Sequence, residues 1–413
     1  MENFTLLLKK YADFIVRVGV NPQPGQTLII NCCLEAAPLA RLCVRSAYEA
    51  GARDVLVNWS DNDVSRSRME LGSEEALTDF KSYQLRRYLD YAESEGGVCV
   101  LHILADDPEV YAGLDGAKIS RVNAAQRKFM APWREYTMND RVQWSIAAMP
   151  SAPWAKKIFP ELDEAAAIEK LWQLIFDVCR VTNGDPVSEW KAHLDRLTGL
   201  KDKMNALDLE SVHFESGNGT DLTVGIADKA TWESAASVSE KGVVFLPNIP
   251  TEEVFTAPHK DKVNGIVYGT KPYVFNGQLI KGFHVTFKDG RVVEHGADEG
   301  AELLGQLLDT DEGARSIGEV ALVPASSPIN RSGALFYSTL FDENAACHIA
   351  FGASYPGTTE SGTRLTKDEL LARGMNQSAI HEDVMVGAED SHITGKCRDG
   401  RTVELFRDGV WVL

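Results

Sequence analysis

The sequence has little of three features that would each indicate a special class of protein. Its 413 residues include only seven cysteines, and no Cys-x-x-Cys pair occurs. The odd cysteine count favours reduced thiols over a disulfide framework. No stretch approaches the roughly 18 uninterrupted apolar residues of a bilayer-spanning helix, so we expect no such helix. Basic residues are also few, with 42 against 60 acidic ones, which gives a net charge of −18.

The charge balance bears on partners. Nucleic-acid binders usually carry a basic face, and anionic membranes attract basic segments, so the acid excess argues against both partners. It is compatible with cationic substrates or with bound metal, and equally with a charge that only keeps the protein soluble. The first twenty residues contain Glu2, Lys9 and Lys10 among apolar residues, which predicts an amphipathic helix rather than a signal peptide. We therefore expect a cytoplasmic protein.

Short motifs of several enzyme classes are also absent. A phosphate-binding loop would need glycine at the position of Asp390. His381 is followed by Glu382 but by no histidine four residues on, which excludes the zincin motif. Pro356 stands where a nucleophile elbow would need glycine. The chemistry must therefore be sought outside these patterns.

The first part of the chain alternates between two kinds of segment. Apolar runs near residues 27–32, 54–59, 98–104 and 142–149 are rich in valine, isoleucine and leucine, as buried strands are. Helical stretches separate them. Strands alternating with helices predict a doubly wound α/β domain with a mostly parallel sheet, and we assign it residues 1–184.

The pattern changes after residue 184. A long helical segment is followed by alternating runs joined by Asp289-Gly290, Asp399-Gly400 and Asp408-Gly409, which are hairpin signals. One further helix is expected near residue 301. Residues 185–413 are therefore predicted to form an α+β domain with an antiparallel or barrel-like sheet.

Several acids and histidines of this second part lie where such residues are costly to bury. Glu319 interrupts an apolar strand, and either a strong network, a metal ion or exposure at a strand end would remove the cost. His381 and Asp383 are two residues apart in a predicted strand, so both face one side. That arrangement suits a metal ion or a carboxylate that orients a histidine.

Two further segments carry acids or histidine. Glu252 and Glu253 lie between prolines in a stiff extended stretch, in which we expect only one of them to face inward; a solvated acidic turn is the alternative. The segment from Phe341 to Gly352 is predicted to be a short helix that carries Glu343 and His348 and runs into a glycine turn. His348 could equally be a core histidine.

Together these residues favour a metal-dependent hydrolase. Carboxylate and imidazole groups without thiolates suit a two-metal site with zinc, cobalt or manganese. A further carboxylate that does not bind metal would handle the proton of the attacking water.

Four segments, NIPTEEVFTAP, IGEVALV, LFDENAACHIAFG and HEDVMVG, resemble in order and spacing those of the thermophilic-type metalloaminopeptidases, the family of aminopeptidase T and aminopeptidase S. The resemblance extends over the whole chain. It implies two divalent ions per chain, peptide substrates with a free N-terminus, and a homodimer.

The same resemblance assigns roles to individual residues. Five of them match metal ligands, and they are Glu253, Glu319, His348, His381 and Asp383. Glu343 matches the family's general base, and Tyr355 matches a tyrosine that stabilises the reacting oxyanion. Two other functions remain open: a two-metal amidase or deacylase that acts on a non-peptide amide, and a non-catalytic protein that binds a small molecule and is stabilised by metal.

Overall fold

The structure is a computed structural model that describes residues 3–182 and 184–413. Met1 and Glu2 of the predicted first helix, and Asn183 beside the predicted domain boundary, lie outside the described residues. The chain forms two compact units. The first comprises the residues up to 194 together with 236–250 and 276–278, and the second comprises 195–235, 251–275 and 279–413. The boundary between residues 184 and 185 stays a prediction.

The first unit is built on a four-stranded parallel sheet in the order β2-β1-β3-β4. Its strands are β1 (Thr27–Cys33), β2 (Asp54–Ser60), β3 (Val98–Leu104) and β4 (Trp144–Ala148). These are the four apolar runs of the sequence. Most residues of β1 and β3, the two central strands, are buried, whereas the edge strand β2 has only partly buried and exposed residues. The α/β prediction for this part of the chain is confirmed.

Five of the described helices of this unit begin at a residue whose side chain caps the first turn. The described helices are α1 (Phe4–Phe14, continued as a π-helical turn over Ile15–Val20), α2 (Ala37–Glu49), α3 (Asn62–Leu71), α4 (Glu74–Thr78), α5 (Ser82–Ala92), α6 (Gly116–Met138), α7 (Ala152–Ile158) and α8 (Glu164–Val178), with the first part of α9 (Pro186–Ala206). The side chains of Asp61, Ser73, Asp115, Ser151 and Asp163 accept hydrogen bonds from first-turn amides. No described helix has both the length and the apolarity to cross a membrane.

The chain after α9 is rich in strands. They are β5 (Leu209–Glu215), β6 (Asp221–Ile226), β7 (Glu233–Ser234), β8 (Ser237–Val238), β9 (Val244–Phe245), β10 (Val254–Thr256), β11 (Pro258–Tyr268), β12 (Tyr273–Phe275), β13 (Gln278–Ile280), β14 (His284–Lys288), β15 (Arg291–Gly296), β16 (Ile317–Leu322), β17 (His348–Gly352), β18 (His381–Met385), β19 (His392–Cys397), β20 (Thr402–Arg407) and β21 (Val410–Trp411). Four short helices accompany them: α10 (Ala301–Leu308), α11 (Pro328–Arg331), α12 (Thr339–Asp342) and α13 (Lys367–Ala372).

Eight of these strands form an antiparallel sheet in the order β15-β14-β11-β6-β5-β19-β20-β21. The three predicted Asp-Gly hairpins lie in it, between β14 and β15, β19 and β20, and β20 and β21. At two of them both turn residues have positive φ, with Asp289 at 49° and Gly290 at 81°, and Asp408 at 49° and Gly409 at 69°. Such turns match the strand twist. The α+β prediction is confirmed for this part of the chain.

A smaller antiparallel sheet has the order β18-β17-β16-β10-β7. Every residue of β16 and β17 is buried. One prediction is wrong here, because His348 begins strand β17 instead of lying on a helix. The helical segment stops earlier, with α12 and a 3₁₀ turn over Glu343–Ala345. Ile349 and Phe351 fit a strand that is buried on both faces, and pairing with two neighbouring strands decides the conformation.

Candidate metal centre

The register of the small sheet brings four predicted site residues to one face. Glu319 on β16 and Asp383 on β18 pair with Ala350 of β17 from opposite sides. His348 lies two residues before Ala350, and His381 lies two residues before Asp383. Because residues two apart share a face of a strand, all four side chains project from the same side of the sheet.

The fifth residue, Glu253, directly precedes strand β10. Val254 pairs with Leu322 of β16, so the residue before it faces the side of the sheet that carries Glu319. The Glu253 carboxylate lies 3.1 Å from Nε2 of His348. The structure therefore brings together all five residues that the family resemblance assigned as metal ligands.

Two glycines near the ligand residues let neighbouring backbone segments approach one another closely. The pairing of β16 with β17 shifts between Ile317 and Glu319, so Gly318 lies in a bulge. A Cβ atom on Gly318 would lie 2.3 Å from the Ala353 carbonyl, which excludes any other residue. Gly352 has φ of 102°, and a Cβ there would lie 2.3 Å from the Ile380 carbonyl oxygen.

The potential ligand atoms form two groups that share Glu319. His348 Nε2 lies 3.1 Å from Glu253 Oε2 and 3.5 Å from Glu319 Oε1. His381 Nε2 lies 3.6 Å from Glu319 Oε2 and 3.5 Å from Asp383 Oδ1. Within each group the ligand atoms lie within 4.8 Å of one another, close enough to surround one ion. The shared carboxylate offers a different oxygen to each group.

Both imidazole rings are fixed by backbone carbonyls. Nδ1 of His348 lies 3.2 Å from the Ala346 oxygen, and Nδ1 of His381 lies 2.7 Å from the Ala353 oxygen. Because a carbonyl oxygen only accepts hydrogen bonds, Nδ1 carries the proton that is donated in each case. Nε2 then points toward the carboxylates, as it does in metal-ligating histidines with an outer hydrogen bond.

Among the protein groups alone, the cluster is electrostatically strained. Burial raises the pKa of Glu319 to about 7, in spite of its hydrogen bond with His348. Burial lowers the pKa of His381, but the Asp383 charge outweighs it and brings that pKa to about 9. For Asp383, burial raises the pKa and the neighbouring His381 outweighs it, so the pKa falls.

The donor set fits divalent metal ions. Three carboxylates and two neutral imidazoles carry a charge of about −3, which two divalent ions would more than balance. Oxygen and nitrogen donors without thiolates suit zinc, cobalt or manganese. Asp383 Oδ1 is buried and accepts no hydrogen bond, and His381 Nε2 lies 3.5 Å from it. Because a histidine that binds metal must be neutral, a bound metal ion would then be the cation that balances this carboxylate.

Glu343 lies on the 3₁₀ turn beside this cluster. Its side chain is buried, and Oε1 accepts a hydrogen bond of 3.3 Å from the Asn344 amide. Burial raises the pKa of Glu343, and the charges of Asp383 and Glu253 raise it further, to well above its ordinary value. A raised pKa makes the Glu343 carboxylate a stronger proton acceptor than a free glutamate.

Tyr355 follows strand β17 and begins a short 3₁₀ turn. Its ring packs edge-on against the imidazole of His381, with ring centroids 4.5 Å apart and an angle of 62° between the planes. The structure therefore places the tyrosine beside one of the two groups of ligand atoms.

Sequence reasoning missed two features of the surroundings. Glu252 and Glu253 are both buried, so the expectation that only one faces inward is wrong. Glu252 turns to Arg196, whose Nη2 lies 3.5 Å from its carboxylate. The second feature is Asn344, which is fully buried and whose Oδ1 accepts a hydrogen bond of 2.7 Å from the Glu252 amide. Its only sequence signal is its place directly after Glu343.

Comparison with known proteins agrees with this site. Residues 4–411 match the profile of a family described as Thermophilic metalloprotease (M29). The chain is 45% identical to Aminopeptidase 2 of Geobacillus stearothermophilus, over 100% of this chain and 99% of that protein. It is 40% identical to Aminopeptidase PepS of Streptococcus thermophilus over 100% of both chains.

A solved structure supports the same relationship. Wild-type AmpT from Thermus thermophilus superposes with a TM-score of 0.91 at 37% identity, covering 99% of this chain and 100% of that one. The predictions of the family and of a metalloaminopeptidase are confirmed by these matches. The chain therefore belongs to the thermophilic metalloprotease (M29) family.

Proposed function

We propose that this aminopeptidase releases N-terminal amino acids from peptides with a free N-terminus, using two divalent metal ions. The observation that carries the proposal is the pair of ligand groups that share Glu319 on one face of the small sheet. Membership of a metalloprotease family and relatives named aminopeptidases support it.

The five buried or nearly buried side chains would hold the ions. Glu253, Glu319 and His348 would bind one ion, and Glu319, His381 and Asp383 would bind the other, with Glu319 shared. Zinc, cobalt and manganese fit the donors. When bound, the ions supply Lewis acidity, which polarises the scissile carbonyl and lowers the pKa of water.

Glu343 is proposed as the general base. It is not a member of either ligand group, yet its carboxylate feels the charges of Asp383 and Glu253. It takes the proton from the attacking water and then delivers it to the leaving amine. The Asn344 side-chain amide donates a hydrogen bond to one of its oxygens and so helps to orient the carboxylate.

Tyr355 is proposed to stabilise the oxyanion. A phenol donates a hydrogen bond to the negative oxygen that develops as the carbonyl is attacked. Packing against His381 restrains the ring and so reduces the entropy lost when the hydrogen bond forms.

Selection for the N-terminal residue follows from charge. The cluster contains three carboxylates and Glu343, so a free α-amine finds acceptors or acidic partners there. An acetylated amine offers neither a positive charge nor a free lone pair.

We also propose that the enzyme is a cytoplasmic homodimer that binds neither nucleic acid nor membranes. The family resemblance, the acidic charge and the seven free cysteines support this proposal.

The test is hydrolysis of a panel of fluorogenic aminoacyl substrates by chelator-treated protein, with zinc, cobalt and manganese added back separately. N-acetylated versions of the same substrates serve as the control. We expect metal-restored cleavage of free-amine substrates alone. Cleavage of the acetylated substrates would favour the amidase, and metal-dependent stabilisation without any cleavage would favour a binding protein.

A further inference from the structure

The parallel sheet of the first unit has a point at which its strand order reverses. The chain passes from β1 to β2 on one side, and then to β3 and β4 on the other side of β1. Ligands of such sheets bind outside the carboxyl ends of the strands at this reversal, because the flanking connections diverge and leave a crevice. No part of the metal centre lies in this unit.

The strand ends at this point carry polar side chains. Asn31 of β1 pairs in register with Asn58 of β2 and with His102 of β3. The Asn58 amide donates to Asn31 Oδ1 at 2.7 Å, and the Tyr88 hydroxyl of α5 donates to the same oxygen at 3.0 Å. Tyr88 thus lies over the carboxyl ends of β1 and β2.

Tyr88 also lines a cavity of about 330 Å³ among helices α3, α4, α5 and α6. That volume is within the range of small-molecule sites. Asn123 of α6 lines the cavity and is held by a hydrogen bond of 2.9 Å to Asn276, which belongs to the same unit. The cavity is therefore lined by residues of several helices, and hydrogen bonds hold Tyr88 and Asn123 in place.

Two arginines of the lining lack acidic partners. Arg68 of α3 and Arg87 of α5, both of which are exposed, form no ion pair with any carboxylate in residues 3–182 or 184–413. The one acid among the described lining residues, Asp79, is already paired with Lys81 at 2.7 Å. In a chain with a net charge of −18, two uncompensated guanidinium groups at one cavity point to an anionic ligand.

The rest of the lining offers flat apolar surfaces. Phe80 and Phe129 stack with centroids 5.1 Å apart and 21° between the rings, and Tyr111 is a third aromatic residue of the lining. Aromatic faces favour a planar ring of a ligand. Ser65 and Gln84 add side chains that can form hydrogen bonds.

We propose that this cavity is a second binding site, for a small molecule that joins a planar ring to a carboxylate or phosphate group. The anion lies between Arg68 and Arg87, and the ring lies against the aromatic wall. The proposal does not rest on the peptidase activity of the second unit.

Titration calorimetry on the metal-loaded, full-length protein tests it. Adenosine 5′-monophosphate and indole-3-acetate are the probes for phosphate and carboxylate, and adenosine and indole are their neutral counterparts. We expect saturable binding of at least one anionic probe, and at least about tenfold weaker binding of its neutral counterpart. No saturable binding of either anionic probe, or equal binding of the neutral ones, would overturn the proposal.

Variants locate the site. Arg68→Ala and Arg87→Ala should each weaken binding about tenfold or more, and Ala76→Trp should block the cavity without removing charge. Arg86→Ala is the matched control, because Arg86 is exposed on the same helix as Arg87 but does not line the cavity and pairs with Asp90 at 2.8 Å. Equal losses in the control would contradict the site.

The metal centre must be separated from this cavity, since metal ions also attract anions. Glu319→Gln, which disturbs both ligand groups, should leave probe binding unchanged. Peptide hydrolysis by the two arginine variants should also stay unchanged. Loss of probe binding in Glu319→Gln would place the probe at the metal centre and refute the second site.

Discussion

Two sheets of this protein, the parallel sheet of the first unit and the small antiparallel sheet of the second, differ in how their polar side chains are satisfied. In the parallel sheet of the first unit, Asn31 and Asn58 are neutral and satisfy each other through a hydrogen bond of 2.7 Å. In the small sheet of the second unit, Glu319 and Asp383 flank one strand, and Asp383 Oδ1 has no hydrogen-bond partner. Neutral side chains that hydrogen-bond to one another stabilise a fold without a ligand, whereas carboxylates that converge inside a protein need a cation. The second pattern therefore indicates function.

The largest effect is expected from Glu343→Gln. Removal of the general base should lower kcat by about 10²- to 10⁴-fold, because the water no longer has a group that takes its proton. Bound metal should stay unchanged, since Glu343 lies outside both ligand groups. Steady-state kinetics and elemental analysis of the same sample check this. If metal is lost and added metal restores activity, Glu343 is a ligand.

The effect of Glu319→Gln on the free energy of unfolding should change sign when metal is added. Without metal above pH 7, the variant should be at least as stable as the wild type, because the buried carboxylate is charged at a cost there. With saturating metal, the wild type should gain about 2.7 kcal/mol or more at 100 times Kd, and the variant should gain less. Urea unfolding with and without chelator measures both. Equal metal-dependent gains would contradict the shared ligand.

Asn344→Ala should destabilise the protein by about 1–3 kcal/mol, because it leaves the buried Glu252 amide without an acceptor. It should also lower kcat, since the Glu343 carboxylate loses the amide that orients it. Asn62→Ala, at an exposed hydrogen bond of 3.4 Å to Glu35, is the control and should stay within about 0.5 kcal/mol. An unchanged kcat would remove Asn344 from the description of the site.

Asn31→Leu tests the polar side chains of the parallel sheet in the first unit. The change removes the acceptor of two hydrogen bonds in the first unit and should cost about 1 kcal/mol or somewhat more. The cost should be the same with and without metal, and kcat should not change. Urea unfolding with and without metal checks this. A loss of stability that depends on metal would contradict the view that Asn31 stabilises only the parallel sheet.

The smallest effect concerns pH. The folded pKa of His381, about 9, exceeds its unfolded value of about 6.5, so its contribution to stability is complete below pH 6.5 and is lost as pH rises through 9. The pKa of Glu319 is likewise raised, to about 7, so its contribution is lost as pH rises from 4.5 through 7. Chelated protein should therefore lose thermal stability between pH 6 and 9, and metal-loaded protein should lose less. Differential scanning calorimetry at matched pH values would show it, and parallel curves would contradict it.

The sequence allowed the secondary structure to be predicted wherever local signals decide it. Four apolar runs became the parallel strands, and Asp289-Gly290 and Asp408-Gly409 formed hairpin turns because both residues adopt positive φ. The family resemblance then identified the side chains that the structure brings together at the sheet.

What could not be predicted depends on pairing between distant segments. His348 forms a strand because β16 and β18 lie on either side of it, which no local pattern reveals. The burial of Glu252 depends on Arg196, which is 56 residues away. Asn344 accepts a hydrogen bond from the backbone amide of Glu252, which is 92 residues away, and no local sequence pattern indicates that contact.

A count of bound metal ions tests the central claim most directly. Wild-type protein and Glu319→Gln would be dialysed against zinc, cobalt or manganese, and metal per chain would be measured by elemental analysis. Because the two ligand groups share Glu319, we expect two ions per wild-type chain and a loss at both sites in the variant. One ion per wild-type chain, or two ions retained by Glu319→Gln, would contradict the two-metal site.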